Sequence, residues 1–250
     1  MGQLEGRTAV ITGGGRGLGR AIAEAFADEG ADVVVVGRGR EALDDTVAAI
    51  EQRGRRGLGL VADLRDVKAI TALFDEVESE FGEVEILVNS AGLQGDMPAT
   101  EVTEEVYDDV VDTNVKAVFF CCQAAGRRML ERGHGKIINL GSTFSLVGAP
   151  NFSVYCATKG AVLQLTKTLA IEWSSAGVNV NAIGPTAVRT DMMRPLLDDP
   201  AFAAVFMPKV PAGRLPEPED IGRAAVFLAG EDSNMVHGHL LMVDCGFTIM

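Results

Sequence analysis

The sequence predicts an α/β fold: one doubly wound domain built around a seven-stranded parallel sheet with helices on both faces. Apolar runs rich in β-branched residues alternate with longer segments of helical periodicity along the whole chain. The chain has 250 residues, of which 47% are hydrophobic, and this suffices for one substantial core. No linker or internal repeat divides it, so we expect a single domain over residues 1–250.

The strands follow from the apolar runs in chain order. Residues 7–12 predict the first strand. The second run, at 32–36, contains four consecutive valines, which is typical of a strand buried on both faces of a parallel sheet. The remaining strands are predicted at 57–61, 84–88, 136–140, 178–183 and 239–243.

The helices are predicted between these strands. The first covers residues 17–29, where one apolar stripe is formed by Leu18, Ala21, Ile22, Ala25 and Phe26. The others are predicted at 41–53, 66–81, about 103–131, about 153–174 and 218–229.

One irregular region, near residues 186–216, is too long for an ordinary loop. It contains five prolines, which break regular structure. It also carries more large apolar side chains than a disordered segment would: Met192, Met193, Leu196, Leu197, Phe202, Phe206 and Met207. We therefore expect a helical lid over a substrate pocket. The alternative is that the region only packs against the rest of the domain and has no role in binding.

Charge and composition exclude some function classes. The net charge of −13 argues against binding to nucleic acid or to an anionic membrane, since both need a basic surface. No apolar run reaches the ~20 residues that a membrane helix needs. The first six residues lack the basic and apolar regions of a signal peptide, so we expect a cytoplasmic protein.

The cysteines and histidines show no strong metal or disulfide pattern. Cys121, Cys122, Cys156 and Cys245 have no Cys-x-x-Cys spacing, and we expect buried, reduced thiols. His134, His237 and His239 have no Cys or carboxylate pattern beside them, so we predict no metal site.

A glycine-rich turn follows the first predicted strand and opens the first predicted helix. Residues 12–19 read TGGGRGLG, which differs from the Gly-x-Gly-x-x-Gly pattern because position 20 is Arg. Glycines allow a sharp turn and the close approach of a pyrophosphate, and a helix N-terminus attracts its negative charge. This context predicts a Rossmann-type dinucleotide site. The expected contacts are Gly13, Gly15, Arg16, Gly17, Leu18 and Gly19.

The end of the second predicted strand favours NADP over NAD. An NAD site usually has an acidic residue about 20 positions after the glycines, to bind the ribose 2′-hydroxyl. Here the chain has Gly37 and Arg38 instead, and a guanidinium suits a 2′-phosphate. Arg16 adds a second positive charge. The alternative is that Arg38 points into solvent and the cofactor is NAD.

One helix face carries a candidate acid–base pair. Tyr155 and Lys159 are four residues apart, so they lie on the same side of the predicted helix, thirteen residues after Ser142. A phenol normally titrates near pH 10, and a nearby cation favours the phenolate. We therefore expect Lys159 to lower the pKa of Tyr155 and Tyr155 to exchange a proton with substrate.

Further motifs accompany these residues. Asp63 follows the third predicted strand, the sequence NSAG occupies residues 89–92, and Asn114 lies in the long helical region. NAIGP at 181–185 and DCG at 244–246 follow Lys159. With these motifs the chain resembles the short-chain dehydrogenase/reductase family over essentially its whole length.

The resemblance implies hydride transfer between a nicotinamide and a carbonyl or alcohol. It implies that Tyr155 donates the proton, that Ser142 hydrogen-bonds the substrate oxygen and that Lys159 holds the nicotinamide ribose. Asn114 would keep a water in line with Lys159, as the fourth catalytic residue. The resemblance also implies cofactor contacts at Asp63, Leu64, Asn89, Ala91, Gly92, Tyr155, Lys159, Pro185, Val188 and Thr190.

Two positions depart from the family pattern. Thr186 follows Pro185 where relatives mostly have Gly, and Cys245 stands in place of another Gly. Thr lacks the conformational range of Gly, so the backbone beneath the nicotinamide is expected to differ. The Cys245 departure concerns a subunit contact.

The substrate is predicted only by class. The Met and Phe content of residues 186–216 favours a moderately apolar ketone or secondary alcohol. The alternatives are a sugar or polyol dehydrogenase, a 3-oxoacyl-thioester reductase acting on carrier protein or CoA, and a non-catalytic NADP-binding sensor. A carrier-protein reductase needs a basic docking patch, to which Arg127 and Arg128 would contribute, but the net charge and Ile171 count against it. The resemblance also implies a homotetramer.

Overall fold

The computed structural model describes residues 2–190 and 193–250, and within them seven strands form one parallel sheet. The spatial order is β3-β2-β1-β4-β5-β6-β7. The strands are β1 (Thr8–Thr12), β2 (Asp32–Gly37), β3 (Gly57–Val61), β4 (Ile86–Asn89), β5 (Gly135–Leu140), β6 (Val178–Pro185) and β7 (Leu240–Val243). The predicted fold class is confirmed, and all seven predicted strands are present with ends shifted by two residues or fewer.

The helices occupy the connections between strands. They are α1 (Gly17–Asp28), α2 (Arg40–Glu51), α3 (Val67–Phe81), α4 (Glu104–Val111), α5 (Ala117–Arg132), α6 (Ser153–Trp173), α7 (Arg194–Leu197), α8 (Pro200–Phe206) and α9 (Pro218–Ala229). Short polar side chains start several of them by accepting a backbone N–H: Asp66 for α3, Thr103 for α4 and Asp199 for α8. Gly133 ends α5 in the left-handed conformation.

The sheet is buried on both faces. On one face, Ile22 and Phe26 of α1 and Ile221 of α9 pack against alternate residues of β1 and β2. On the other face, helices α3, α5 and α6 cover the remaining residues of the same strands. The valines of β2 divide evenly between the two faces, and this explains the uninterrupted apolar run in the sequence.

The long helix predicted over about 103–131 is interrupted. A π-helical turn, Asp112–Lys116, separates α4 from α5, and Asn114 lies within it. Such a turn inserts one extra residue into the helix and is frequent at functional sites. No Gly or Pro marks this position, so the prediction of one continuous helix was wrong there.

The region 186–216 contains short helices. They are α7, α8 and a 3₁₀ turn, Met207–Lys209. Phe202 stacks on Phe206 with ring centroids 5.1 Å apart, and Phe206 stacks on Phe247 near the C-terminus at 5.4 Å. Met192 lies outside the described residues, as does the side chain of Leu196. That this region acts as a lid stays a prediction.

Across residues 2–190 and 193–250, no helix is both long enough and apolar enough to cross a membrane.

Candidate active site

The candidate site lies at the carboxyl ends of the central strands. The strand order reverses between β1 and β4, and ligands of doubly wound sheets bind in the crevice at such a reversal. Thr12, the last residue of β1, accepts hydrogen bonds through Oγ1 from the backbone N–H groups of Ser90 and Ala91, at 3.1 and 3.2 Å. These bonds hold the glycine turn against the NSAG segment.

The glycine turn requires glycine at several positions. Gly13 has φ of 67°, and a Cβ there would lie 2.9 Å from the backbone N of Ala91. A Cβ on Gly19 would lie 2.3 Å from the carbonyl oxygen of Gly13. Gly17 also has positive φ, and the nearest atom to its missing Cβ is the Thr190 methyl at 3.8 Å. A glycine turn with this conformation allows the phosphates of a dinucleotide to approach the main-chain N–H groups closely.

The remaining residues of the turn differ in exposure and packing. Arg16 is exposed at the N-cap of α1, and no side chain caps the first N–H groups of that helix. Gly15 packs beside Ala42 of α2, and Leu18 packs against the core. Arg38, directly after β2, is also exposed. Both arginines thus lie at the surface, where they can reach a bound phosphate.

Asp63 is already bound by a neighbouring cation. The Arg65 side chain donates to both carboxylate oxygens of Asp63 at 2.7 to 3.1 Å, and the Arg65 backbone N–H donates at 3.0 Å. These bonds lower the pKa of Asp63 to about 2. Arg65 also pairs with Asp109 of α4, so it bridges two carboxylates. Leu64, the other expected adenine contact, is buried beside them.

Asn89 does not direct its amide into the cleft. Its Nδ2 donates to Asn139 Oδ1 at 2.9 Å and lies 3.3 Å from the Cys122 sulfur, inside the sheet-helix layer. Gly92 does lie at the cleft: a Cβ there would be 3.4 Å from Asn114 Oδ1 and 3.9 Å from Lys159 Nζ. In the NSAG segment, the Asn89 side chain therefore stabilises the fold, whereas Gly92 leaves space at the cleft because it has no side chain.

Ser142 follows β5 and is oriented by local hydrogen bonds. Its Oγ accepts the Phe144 N–H at 3.1 Å, which leaves the hydroxyl proton available to donate. Ser145 supports it, because Ser145 Oγ accepts the Ser142 N–H at 3.2 Å and donates to the Lys159 carbonyl at 2.9 Å. We call Ser145 the bracket residue, since one hydroxyl holds both β5 and α6.

Tyr155 lies in the first turn of α6 in a desolvated setting. Burial raises the pKa of Tyr155 to about 12, and a hydrogen bond with Ser142 acts in the opposite direction. The pKa of Tyr155 therefore moves in the direction opposite to the expected one, because burial is the largest effect on it. Lys159 Nζ is 5.5 Å from the centroid of the phenol ring, and desolvation outweighs any attraction at that distance. The phenol is therefore protonated at neutral pH.

Lys159 is buried one helical turn further on. Its Nζ donates to the carbonyl oxygen of Leu140, at the end of β5, at 2.6 Å. An ammonium has three protons, so it has further donors to offer at the cleft. Burial lowers the pKa of Lys159 to about 8.

Asn114 is fully engaged by its side chain. Its Oδ1 accepts the Leu93 N–H at 2.8 Å, and its Nδ2 donates to the Leu93 carbonyl at 2.8 Å and to Thr158 Oγ1 at 3.1 Å. Thr158 in turn donates to the Tyr155 carbonyl at 2.8 Å. Both amide donors of Asn114 are used, so the expected water needs another atom of the π-helical turn.

The residues after β6 lie near the glycine turn. Pro185 ends β6, Val188 is buried, and the Thr190 N–H donates to the Val188 carbonyl at 2.7 Å. Among the described non-glycine residues, positive φ occurs at Asn151 (68°) and Cys245 (55°). Thr186 therefore needs no left-handed backbone, whereas Cys245 occupies the conformation that explains a glycine in relatives.

The cysteine prediction is correct in part. All four thiols are free; Cys121 and Cys122 are buried, while Cys156 and Cys245 are partly exposed. Burial raises the pKa of Cys122 to about 12, so it is protonated. Among the residues that the structure describes, no group of His, Cys, Asp and Glu is arranged to hold a metal ion.

Three functional neighbours were missed in the sequence: Arg65, Ser145 and Thr158. Each is hydrogen-bonded to a predicted residue: Arg65 to Asp63, Ser145 to Ser142, and Thr158 to Asn114. Thr158 and Arg65 adjoin motif residues, so proximity in sequence was the available signal. Ser145 offered the spacing of a capping box with Ser142, three residues away.

Comparison with known proteins agrees with this geometry. Residues 13–248 match the family model described as enoyl-(acyl carrier protein) reductase. The chain is 39% identical to gluconate 5-dehydrogenase of Gluconobacter oxydans over 98% of this chain and 96% of that protein.

Two solved structures show the same fold over nearly complete chains. One, from Sinorhizobium meliloti and described as a short-chain alcohol dehydrogenase, has a TM-score of 0.95 and 40% identity, covering 98% of both chains. The other is gluconate 5-dehydrogenase of Burkholderia cenocepacia in complex with NADP and tartrate, with a TM-score of 0.94 and 36% identity, covering 99% of this chain and 97% of that one. The protein therefore belongs to the short-chain dehydrogenase/reductase family, as its motifs predicted, and is an oxidoreductase of alcohols and ketones.

Proposed function

We propose that the protein is an NADP(H)-dependent oxidoreductase that interconverts a ketone and a secondary alcohol. One observation carries the proposal: Ser142, Tyr155 and buried Lys159 converge at the carboxyl end of β5, beside the glycine turn. An alcohol hydroxyl, a phenol and an ammonium in one crevice form a proton-transfer site without a metal ligand set.

The residues present fit the cofactor. The positions of Gly13 and Gly19 have no room for a Cβ, and the α1 N-terminus has free N–H groups, as a pyrophosphate site requires. Exposed Arg16 and Arg38 suit the additional phosphate of NADP. A relative of 36% identity was crystallised with NADP. When bound, NADP(H) supplies or accepts the hydride.

The protein's own residues handle the proton. We assign Tyr155 as the donor to the substrate oxygen during ketone reduction, because its raised pKa keeps it protonated at neutral pH. Ser142 donates a hydrogen bond to the same oxygen, and it is free to do so because its own Oγ accepts from Phe144. Lys159 stabilises the phenolate that remains after proton transfer.

Asn114 acts as a positioning residue in this proposal. Its amide fixes Leu93, which lines the substrate side of the cleft, and Thr158, which bonds the carbonyl of Tyr155. The proposed water chain to Lys159 then starts from the backbone of the π-helical turn.

A cofactor-monitored screen tests this function. Purified protein is assayed with NADPH and with NADH against ketones and secondary alcohols. The Tyr155→Phe variant should lose ~10²–10⁴-fold in turnover, the usual contribution of a positioned proton donor. The chain contains one other tyrosine, Tyr107, which is 51% exposed on α4 and provides the matched control Tyr107→Phe. Equal turnover by both variants would refute the assignment of Tyr155.

A sugar or polyol dehydrogenase is the second candidate. Its support is the name of the Gluconobacter oxydans relative, which acts on gluconate. Activity with gluconate or a polyol in the same screen would favour it.

The acyl-carrier reductase alternative is less well supported. Arg128, one of two arginines expected to dock an acidic carrier protein, is already paired with Asp75 and Glu78. Ile171, on the neighbouring helix α6, is 80% exposed and uncharged.

A non-catalytic NADP-binding sensor is the remaining alternative. Such a protein would bind NADPH, but no ketone would cause the NADPH to be oxidised. The same screen detects that outcome.

A homotetramer and a cytoplasmic location also remain proposals. Large apolar side chains are exposed on α5 and α9, at Phe119 and Phe227, where a subunit contact would cover them. A monomer at micromolar concentration in light scattering would reject the tetramer.

A further inference from the structure

Two phenylalanines flank the proposed proton donor. The Phe144 ring lies 6.2 Å and the Phe152 ring 6.3 Å from the Tyr155 ring, centroid to centroid, both in edge-to-face arrangements. The two phenylalanine rings are 5.3 Å from each other. We call Phe144 and Phe152 the aromatic wall.

The backbone fixes this wall to the catalytic elements. The Phe144 N–H donates to Ser142 Oγ at 3.1 Å, so the first ring follows the catalytic serine. The Phe152 carbonyl accepts the Cys156 N–H at 2.8 Å, so the second ring is held by the first turn of α6. The backbone of both phenylalanines is therefore fixed relative to Ser142 and the first turn of α6.

The wall continues into exposed apolar surface. Both rings are only partly buried, and Leu146 and Val147, in the same segment, are 55% and 37% exposed. Exposed apolar side chains beside a proposed proton donor favour binding of an apolar ligand part.

Apart from Lys159, whose Nζ donates to the Leu140 carbonyl, the segments beside the wall carry no charged side chain. Residues 141–158 and 89–95, which hold Ser142, Tyr155 and Gly92, include no Asp, Glu, Lys, Arg or His. The Ser145 hydroxyl is occupied by Ser142 and Lys159. On the segment after β6, Arg189 pairs with Glu217 at 3.5 Å. A substrate carboxylate placed against the wall would lose hydration without gaining a counter-charge from it.

We infer that the preferred substrate is an uncharged ketone or secondary alcohol with a hydrocarbon ring or alkyl group beside the carbonyl, and that Phe144 and Phe152 determine this preference. The inference rests on the proposed function and narrows it. It separates this protein from a dehydrogenase of carboxylated sugars, the class to which the gluconate-acting relative belongs.

A matched pair of ketones tests the inference. Benzylacetone and levulinate share a methyl ketone with a two-carbon spacer and differ in a terminal phenyl group or carboxylate; fructose represents the polyhydroxylated ketoses. With NADPH, kcat/KM for benzylacetone should exceed that for levulinate and for fructose by ~10-fold or more, the scale on which apolar pockets discriminate.

Variants then assign the preference to the wall. Phe152→Ala and Phe144→Leu should each lower the benzylacetone-to-levulinate ratio by several-fold to ~10-fold. The control is Phe81→Ala, which removes a partly buried ring that stacks with Arg56 before β4, away from the carboxyl ends of the strands. It should leave the ratio unchanged. Thermal melting confirms that each variant is folded.

The outcomes separate the two proposals. If levulinate or fructose is reduced as efficiently as benzylacetone, or if the ratio is the same in both wall variants and the wild type, the inference fails while the proposed function stands. If none of the three is reduced and a wider ketone panel also gives no turnover, the proposed function fails and the inference with it.

Discussion

At the scale of single residues, burial sets the protonation of the catalytic pair. The phenol of Tyr155 is harder to ionise than in water, and the ammonium of Lys159 loses its proton more easily, because both charged forms are desolvated. At neutral pH this leaves a protonated donor beside a cation, the arrangement that ketone reduction requires.

This arrangement predicts a pH dependence. The pKa of Lys159 is lowered to about 8, so kcat/KM for ketone reduction should be flat below that pH and fall above it, as the ammonium is neutralised and no longer stabilises the phenolate. A pH–rate profile measures this. Lys159→Arg retains its charge across the range and should lack the inflection. An unchanged inflection in that variant would assign the titration to another group.

Arg38 should determine cofactor preference. Arg38→Asp removes a cation for the 2′-phosphate and introduces a carboxylate that suits a ribose hydroxyl, so the ratio of kcat/KM with NADPH to that with NADH should fall by ~10-fold or more. The control is Arg223→Asp, at a 78% exposed side chain on α9. A ratio that does not move would show that Arg38 points away from the cofactor.

At the scale of elements, the strands and the glycine turn could be predicted because local sequence patterns encode them. The strands followed from β-branched runs, and the glycine turn between β1 and α1 followed from its composition. The π-helical turn at Asn114 was missed, because one extra residue in a helix leaves no composition signal. The inward orientation of Asn89 and the occupation of Asp63 by Arg65 were also missed, because each depends on contacts that packing creates.

The turn after β7 contains a strained residue. Cys245 adopts φ of 55°, which costs a non-glycine residue ~1–2 kcal/mol. Glycine relieves this strain but loses more entropy on folding, by ~0.5–1 kcal/mol, so Cys245→Gly should stabilise the protein by ~0.5–1 kcal/mol in urea unfolding. Asn151 has φ of 68°, but Asn tolerates this region, so Asn151→Gly should change stability little. A loss of stability in Cys245→Gly would show that the thiol makes a compensating contact.

At the scale of the whole molecule, one buried lysine links stability to pH. Lys136 of β5 donates to Asn179, Ser233 and Asn234, so it connects the sheet to the segment between α9 and β7. Burial, followed by repulsion from Arg7, lowers its pKa from 10.5 to about 8, while attraction to Glu231 opposes the change. Folding therefore disfavours the charged form of this lysine.

The sign of the effect follows from proton counting. Between pH 8 and pH 10.5 the unfolded chain binds more protons at Lys136 than the folded one, so this residue's contribution to the free energy of unfolding rises with pH. The difference in unfolding free energy between wild type and Lys136→Met should thus shift in favour of the wild type from pH 7.5 to pH 10, by up to ~3 kcal/mol. Urea unfolding at both pH values measures it. A constant difference would mean that Lys136 does not titrate in this range.

The fold was thus readable from the sequence, whereas the electrostatics of the candidate site were not. Ser142, Tyr155 and Lys159 were identified by residue type and spacing, and the structure brings them together. The direction in which the pKa of Tyr155 moves depends on how deeply the helix packs, and sequence spacing does not encode that depth.

The bracket residue has a consequence for thermal motion. A single Ser145 hydroxyl bonds both the Ser142 N–H and the Lys159 carbonyl, so it links the serine proposed to bind the substrate oxygen to the helix that bears the proton donor. We expect small thermal movements of α6 to carry Ser142 with them, which limits changes in the distance between the Ser142 and Tyr155 oxygens.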